Sequence, residues 1–129
     1  MKVLAVDYGR ARTGLAVSDE TGTLARPLAV IERARTEAGM RALVSRIESE
    51  GAELVVVGLP LTLRGEQGEQ ARETLGFVKR LREQCSVPVE TYDERFTTTL
   101  AGRTPGSRHG DDAIAAAHLL EGFLTRLAG

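Results

Sequence analysis

Two short aliphatic runs constrain the fold more than any other feature of this chain. Residues 3–6 read Val-Leu-Ala-Val and residues 54–57 read Leu-Val-Val-Val, so each run is apolar at four successive positions. Runs of this length are short for a helix, and strands that are apolar on both faces are typical of a sheet covered by helices on both sides. We therefore expect an α/β fold in which both runs form central strands.

The other strand signals place these runs in a larger sheet. Residues 2–8 and 12–18 are predicted to pair as antiparallel strands, and residues 24–31 extend this meander. A last strand is predicted from Pro88 to Tyr92. Because proline cannot donate to a strand ladder, this strand is expected near an edge of the sheet. The prediction is a five-stranded mixed sheet with helices on both faces.

Apolar residues at helical spacing predict three helices, over residues 36–50, about 67–84 and about 112–127. Gly51 is expected to end the first helix as a C-terminal cap. The predicted buried stripes are Met40, Leu43, Val44 and Ile47 in the first helix, Ala71, Leu75, Val78 and Leu81 in the second, and Ala116, Leu119, Leu120, Phe123 and Leu127 in the third.

The composition fits one domain, which is predicted to span residues 1–129. The chain is 42% hydrophobic and 27% charged, and a core of this size folds without disulfides or a structural metal. The single cysteine, Cys85, excludes a disulfide framework and a zinc site of paired cysteines, so the reducing cytoplasm is the expected compartment. No apolar run approaches the roughly 18 residues of a membrane span, and Asp7 interrupts the start too early for a signal peptide.

The charge balance gives no general attraction for nucleic acid. With 17 basic and 18 acidic residues, the formal net charge is −1. A nucleic-acid partner would therefore need a local patch of basic side chains.

An acidic residue stands at the end of the first buried strand. Asp7 directly follows the run at residues 3–6, and a buried strand end is an expensive place for a charge. A metal ligand is one interpretation. The alternative is an aspartate that caps the turn at Gly9 or pairs with Arg10 or Arg12.

A second acidic motif, Asp93-Glu94-Arg95, closes the last predicted strand. Strand alternation places Asp93 and Glu94 on opposite faces, but alternation fails at strand ends. The sequence therefore leaves open which of the two acids faces a site. The alternative is a solvated loop that contains an Asp–Arg ion pair.

A third acidic motif, Asp111-Asp112, opens the last predicted helix. From Asp112, helical spacing leads along the apolar stripe, so Asp112 is expected to head the buried face. From Asp111, the same spacing leads to small or polar residues, and Asp111 is predicted to be the N-cap. Capping is also the alternative role for Asp112.

These acids are expected to meet at one edge of the sheet. Carboxylates gathered in this way repel one another unless a cation lies among them. Oxygen ligands without a suitable histidine or cysteine favour Mg²⁺ or Mn²⁺ over zinc. Two such ions about 4 Å apart can activate a water on one side of a phosphodiester and stabilise the leaving 3′ oxygen on the other. The chemistry indicated is phosphodiester hydrolysis.

Four groups of residues carry a resemblance over nearly the whole chain. They are Val6-Asp7-Tyr8-Gly9 with the stretch from Thr13 to Asp19, Val57-Gly58-Leu59-Pro60 with Gly65, Asp93-Glu94-Arg95-Phe96-Thr97-Thr98 with Ala101, and Asp112 with Ala115, Ala116 and Leu120. In this order they resemble the YqgF-type (RuvX) family of pre-16S ribosomal RNA nucleases, which are relatives of the Holliday-junction resolvases.

The resemblance implies a ribonuclease H-like fold and a nuclease that processes the 5′ end of precursor 16S ribosomal RNA, with RNA and ribosomal precursor particles as partners. It implies that Asp7, Glu94 and Asp112 are the catalytic acids and hold Mg²⁺ or Mn²⁺. The candidate phosphate-binding arginines in nearby loops are Arg10, Arg12, Arg64, Arg95 and Arg108. Two segments depart from the family: residues 99–110 are fewer than expected, and residues 61–64 replace an Asn-Met-Asp-like stretch, so substrate choice is open.

Three other functions are compatible with parts of the sequence. A Holliday-junction or other DNA nuclease would use the same carboxylate chemistry. A non-catalytic ribosome or nucleic-acid binding module would use the acids as caps, but the near-zero net charge and the 4% aromatic content weigh against strong binding without a metal. An actin-like ATPase shares an Asp-x-Gly turn, yet such enzymes close two domains around the nucleotide.

Overall fold

The structure is a computed structural model that describes residues 1–96 and 110–128. The described residues form five strands, three α-helices and one short 3-10 helix. In chain order these are β1 (Val3–Asp7), β2 (Arg12–Ser18), β3 (Ala25–Glu32), α1 (Glu37–Glu50), β4 (Leu54–Leu59), α2 (Glu69–Gln84), β5 (Val89–Asp93), the 3-10 helix (Glu94–Phe96) and α3 (Gly110–Ala128). The sequence predicted every strand and α-helix of this list, with ends that differ by at most two residues.

The strands form one mixed sheet in the order β3-β2-β1-β4-β5. β1 pairs antiparallel with β2 and parallel with β4, while β4 pairs parallel with β5. The two aliphatic runs are therefore adjacent central strands, and β5 lies at an edge, as Pro88 indicated. The carboxyl ends of β1, β4 and β5 meet at one edge of the sheet, which we call the carboxyl edge.

Alternation along β1 divides the core into two layers. Leu4 and Val6 pack with α1 and α2 on one face of the sheet. Val3 and Ala5 pack with α3 on the other face. The prediction of helices on both faces is confirmed, and it explains why β1 is apolar at four successive positions.

Local capping fixes the ends of α1. The Thr36 hydroxyl accepts a hydrogen bond from the Gly39 backbone N–H at 3.1 Å, which satisfies one of the free donors at the start of the helix. Gly51 ends the helix with a φ of 68°, and its N–H donates to the Glu48 carbonyl oxygen. The predicted C-terminal cap at Gly51 is confirmed.

Three predicted positions were wrong in detail. Leu75 is only half-buried, because α2 turns Thr74 and Phe77 towards the sheet instead. The buried Thr74 hydroxyl donates a hydrogen bond to the Gln70 carbonyl oxygen, so this donor is satisfied. Leu127 is 58% exposed, because the last turn of α3 extends past the core. Asp111 lies inside the first turn of α3 rather than at the N-cap, since the helix begins at Gly110.

Within the described ranges, α3 and the other helices lack the combination of length and apolar character that a bilayer crossing needs.

Candidate active site

Asp7 is the last residue of the central strand β1, and a glycine lies beside it on each neighbouring strand. Gly14 of β2 is directly opposite Asp7. On β4, Val57 pairs with Val6, so that the next residue, Gly58, lies beside Asp7. Neighbouring strands are about 4.8 Å apart. A group that rests on either glycine therefore lies about one strand spacing from Asp7.

The start of α3 rests on Gly14. A Cβ atom placed on Gly14 would lie 1.8 Å from the backbone carbonyl oxygen of Asp112. Because only a residue without a side chain allows this approach, Gly14 sets the position of the first turn of α3. Asp112 is thereby held one strand away from Asp7.

The side chain of Glu94 rests on Gly58. A Cβ atom placed on Gly58 would lie 2.9 Å from both the Cγ and the Oε2 atoms of Glu94. The chain reaches this point because β5 ends at Asp93 and turns directly into the 3-10 helix. Glu94 is therefore brought to the strand on the other side of Asp7.

All three acids lie towards the same face of the sheet. Asp7 follows the alternation of Val3 and Ala5, which contact α3. Gly14 and Gly58 lie beside Asp7 on that face, since neighbouring residues in register point the same way. The structure thus brings the predicted residues Asp7, Glu94 and Asp112 to one face of the carboxyl edge, and we call this group the acidic edge.

The structure shows that Asp93 and Glu94 have different contacts, a distinction that the sequence left open. Asp93 is bound by Arg95: the Nη2 atom of Arg95 lies 2.6 Å from Oδ2, and the Arg95 backbone N–H donates to Oδ1 at 2.9 Å. The hydrogen bond from the Arg95 side chain lowers the pKa of the Asp93 carboxyl below its ordinary value. The Asp–Arg ion pair that the sequence offered as the alternative for this motif is present, between Asp93 and Arg95. Glu94, in contrast, lies at the acidic edge.

The carboxylate of Asp112 contacts an arginine. Its Oδ2 atom lies 3.0 Å from Nε of Arg12, and both side chains are partly exposed. In residues 1–96 and 110–128, no group of three or more histidine, cysteine, aspartate or glutamate side chains is arranged to hold a metal ion. The donor atoms of the acidic edge are the carboxylate oxygens that Mg²⁺ and Mn²⁺ prefer. The ligands therefore suit these ions in chemistry, and a shared ion would require the Asp112 side chain to turn away from Arg12.

The predicted phosphate-binding arginines have different surroundings. Arg12 and Arg95 contact acids, as described, and the Arg95 guanidinium also lies over Gly65. Arg64 is exposed in the loop after β4. Arg10 points to the other face of the sheet, where its Nε atom donates to Glu73 at 2.8 Å. Arg108 and the short segment at residues 99–109 lie outside the described residues.

Sequence reasoning missed the roles of Gly14 and Gly58. Both were noted as parts of motifs, but neither was assigned a contact. Glycine inside an otherwise apolar strand is a signal for close approach of another group. That signal, applied to the strands on either side of Asp7, would have predicted that something packs against each of them.

Comparisons with known proteins identify the family of this chain. A family model described as RuvX, Holliday junction resolvase, matches residues 1–126. Similar curated proteins carry the name "Putative pre-16S rRNA nuclease". The one from Anaeromyxobacter dehalogenans is 40% identical, with 99% of each chain covered. The one from Anaplasma marginale is 38% identical, with 99% of this chain and 87% of the relative covered.

Two solved structures share the fold. Thermus thermophilus RuvC in complex with a Holliday junction substrate has a TM-score of 0.58 at 22% identity, with 99% of this chain and 96% of that chain covered. The fowlpox virus resolvase, also in complex with Holliday junction DNA, has a TM-score of 0.59 at 15% identity, with full coverage of both chains. The predicted ribonuclease H-like fold is confirmed.

Proposed function

Because this chain belongs to the RuvX family, we propose that it is a metal-dependent nuclease and that Asp7, Glu94 and Asp112 are its catalytic, metal-binding residues. One observation carries the proposal: the two glycines beside Asp7 are the surfaces on which Asp112 and Glu94 rest. Acids from three distant parts of the chain are thereby gathered on one sheet face.

The chain's own residues set up the reaction. Asp7 is held on a buried central strand, whereas Glu94 approaches from the 3-10 helix after the edge strand and Asp112 from the start of α3. Mg²⁺ or Mn²⁺ bound by these carboxylates would supply an activated water and stabilisation of the leaving 3′ oxygen. Arg12 forms an ion pair with Asp112 in the arrangement seen here. If Asp112 held a metal ion, the Arg12 guanidinium would be free to bind a phosphate oxygen.

We propose RNA as the substrate, and specifically precursor 16S ribosomal RNA, which would place the protein in the cytoplasm. The names of curated relatives that this chain matches over almost its whole length support this assignment. A four-way DNA junction is the second candidate, supported by the description of the matching family. Both substrates require the same bond cleavage, so the acidic edge alone does not discriminate between them.

The test is a cleavage assay on a labelled panel of single-stranded RNA, precursor 16S fragments, single-stranded DNA and a four-way DNA junction, each with Mg²⁺, Mn²⁺ or a chelator. We expect metal-dependent cleavage of the precursor RNA, no cleavage in chelator, and recovery when Mn²⁺ is added back. Preferential cutting of the junction would support the second substrate. Absence of cleavage throughout the panel, with either metal, would contradict the nuclease proposal.

A further inference from the structure

A second group of polar side chains lies at the carboxyl edge, on the face opposite the acidic edge. It surrounds a cavity of about 550 Å³ between the end of β1 and α2. We call it the arginine groove and define it by six of the lining residues: Tyr8, Arg10, Arg35, Glu73, Phe77 and Arg80. A neighbouring cavity of about 350 Å³ shares Tyr8, Arg10 and Glu73 and continues along the first turn of α2 to Glu69.

The walls of this groove are fixed by contacts within the chain. The Tyr8 ring stacks on Phe77 with centroids 4.3 Å apart, and Phe77 is buried. The Tyr8 hydroxyl donates to Glu73 Oε2 at 3.1 Å, while Arg10 donates to Oε1 of the same carboxylate. Both oxygens of Glu73 are thus engaged, so that the groove keeps its shape without a ligand.

The charges of the groove are not balanced. Arg10 and Glu73 neutralise each other, but Arg35 and Arg80 make no hydrogen bond or ion pair within the described part of the chain. Both guanidinium groups are close enough to act on Tyr8: burial raises the pKa of the Tyr8 phenol, and the charges of Arg35 and Arg80 oppose that rise. Arg35 also acts electrostatically on the Glu73 carboxylate, but Tyr8 and Arg10 already bind both oxygens of that group. Among the described residues, the two positive charges therefore face the cavity without an ion pair of their own.

A guanidinium presents a planar set of donors that matches the oxygens of a phosphate group. Phe77 is buried and covers one face of the Tyr8 ring, so the aromatic pair presents less surface to a base than two exposed rings would. The arginines thus favour a phosphate as the main ligand of the groove. The groove is adjacent to the acidic edge, since Tyr8 directly follows Asp7 and the two side chains lie on opposite faces of the same strand end. A nucleic-acid strand at the acidic edge could therefore supply the phosphate.

We propose that Arg35 and Arg80 bind a backbone phosphate of the nucleic-acid strand whose scissile bond lies at the acidic edge, so that the strand crosses the carboxyl edge from one face of the sheet to the other. This inference rests on the proposed nuclease function and adds to it a binding site that lies away from the carboxylates. Phosphate groups of free nucleotides have the same chemistry, and the experiment separates the two sources.

The experiment compares the double variant Arg35→Gln/Arg80→Gln with a matched control, Arg26→Gln/Arg46→Gln. The control removes the same charge at the opposite end of the sheet, where both arginines contact Glu50. Binding of a fluorescein-labelled single-stranded RNA is measured by anisotropy in chelator over a range of salt concentrations. Circular dichroism melts verify that each variant is folded, and Arg35→Lys/Arg80→Lys provides a milder change that keeps the charge.

We expect the groove variant to bind RNA roughly tenfold more weakly than the control. Its slope of log affinity against log salt should fall by about 0.7 for each phosphate contact that is lost. The lysine variant should retain the salt slope with part of the affinity, because it keeps the charge and loses the paired donors. Equal affinity and slope in the groove and control variants would overturn the proposal.

A second arm titrates the wild-type protein with inorganic phosphate and with a nucleoside monophosphate. Weak binding of both, in competition with the RNA, supports a strand site. Tight binding of the monophosphate that the groove variant loses, while RNA binding is unchanged, overturns it in favour of a nucleotide site. Wild-type cleavage activity separates the two proposals. If the wild type cleaves RNA and the groove variant binds RNA as tightly as the control variant, only the groove proposal is refuted. If RNA binds through the groove but the wild type never cleaves it, only the nuclease proposal is refuted.

Discussion

The two faces of the carboxyl edge carry opposite charges although they are built on the same strand. On the α3 face, Asp7 lies among acids from the 3-10 helix and α3. On the α1 and α2 face, the next residue, Tyr8, lies among arginines. Strand alternation directs Asp7 and Tyr8 to opposite faces, and the elements packed on each face supply the remaining charges. The comparison teaches that one strand end can separate the proposed cleavage site from the proposed strand-binding site without an additional domain.

The largest expected effect comes from breaking the acidic edge alone. Asp7→Asn, Glu94→Gln and Asp112→Asn should each reduce cleavage at least about a hundredfold, because each removes the charge of a proposed metal ligand while keeping the shape of the side chain. RNA binding in chelator should stay within about twofold of wild type, since the arginine groove is untouched. Cleavage rates and anisotropy titrations on the same preparations measure both quantities.

The matched control for these variants is Asp111→Asn. Asp111 lies next to Asp112 in the first turn of α3, and its loss should cost only the weak favourable interaction of a negative charge with a helix N-terminus. Near-wild-type cleavage is expected. A loss in Asp111→Asn as large as that in Asp112→Asn would mean that the start of the helix, and not a specific carboxylate, is what matters.

The two glycines beside Asp7 give the next largest effect, and they should differ from each other. Gly14→Ala places a methyl group against the backbone of Asp112, so that α3 must move as a unit, and we expect the free energy of unfolding to fall by about 3 kcal/mol. Gly58→Ala meets only the side chain of Glu94. That side chain can rotate away, so stability should change by less than about 1 kcal/mol while cleavage falls roughly tenfold.

Urea unfolding curves and cleavage rates distinguish the two glycine variants. Neither substitution touches the arginine groove. RNA binding by the folded fraction should therefore be unchanged, and it serves as the control measurement. If Gly58→Ala loses as much stability as Gly14→Ala, the Glu94 side chain cannot rotate away from the added methyl group. Contacts other than that with Gly58 would then hold Glu94 in place.

The sequence predicted the strands and helices because their apolar patterns reflect burial directly. It also predicted that Asp112 heads the buried face of α3, since helical spacing continues along the whole helix. It could not choose between Asp93 and Glu94, because that choice depends on the hydrogen bonds from Arg95 and on the turn into the 3-10 helix.

The arginine groove was missed for a related reason. Glu73, Phe77 and Arg80 share one face of α2 at spacings of four and three residues, a pattern that the sequence shows. Arg35, however, reaches the groove from the connection between β3 and α1, and only tertiary packing brings it there. The pairing of Arg10 with Glu73 was likewise invisible, since the two residues are 63 positions apart.

The smallest expected effect is that of replacing Asp19. This acid has a structural role, so its variant is a comparison for the variants of the acidic edge. Asp19 follows β2 at the end opposite Gly14, and its carboxylate accepts hydrogen bonds from the Thr21 hydroxyl and from the backbone N–H groups of Thr23 and Leu24. The hydrogen bond from Thr21, followed by those from the backbone, lowers the pKa of Asp19 from 3.8 to about 2. A carboxyl with a lowered pKa stabilises the folded state at pH values above its unfolded pKa, and this contribution is lost as the pH falls towards the folded pKa.

Asp19→Asn should therefore melt at a slightly lower temperature than wild type at neutral pH, and the difference should shrink as the pH falls from about 4 to about 2. Cleavage of RNA at neutral pH should be unchanged. This pattern is the reverse of that expected for Asp7→Asn, which should lose cleavage and keep RNA binding. Thermal melts between pH 2 and pH 7 measure the effect, and a difference that stays constant across that range would show that Asp19 supports the turn through its shape and not through its charge.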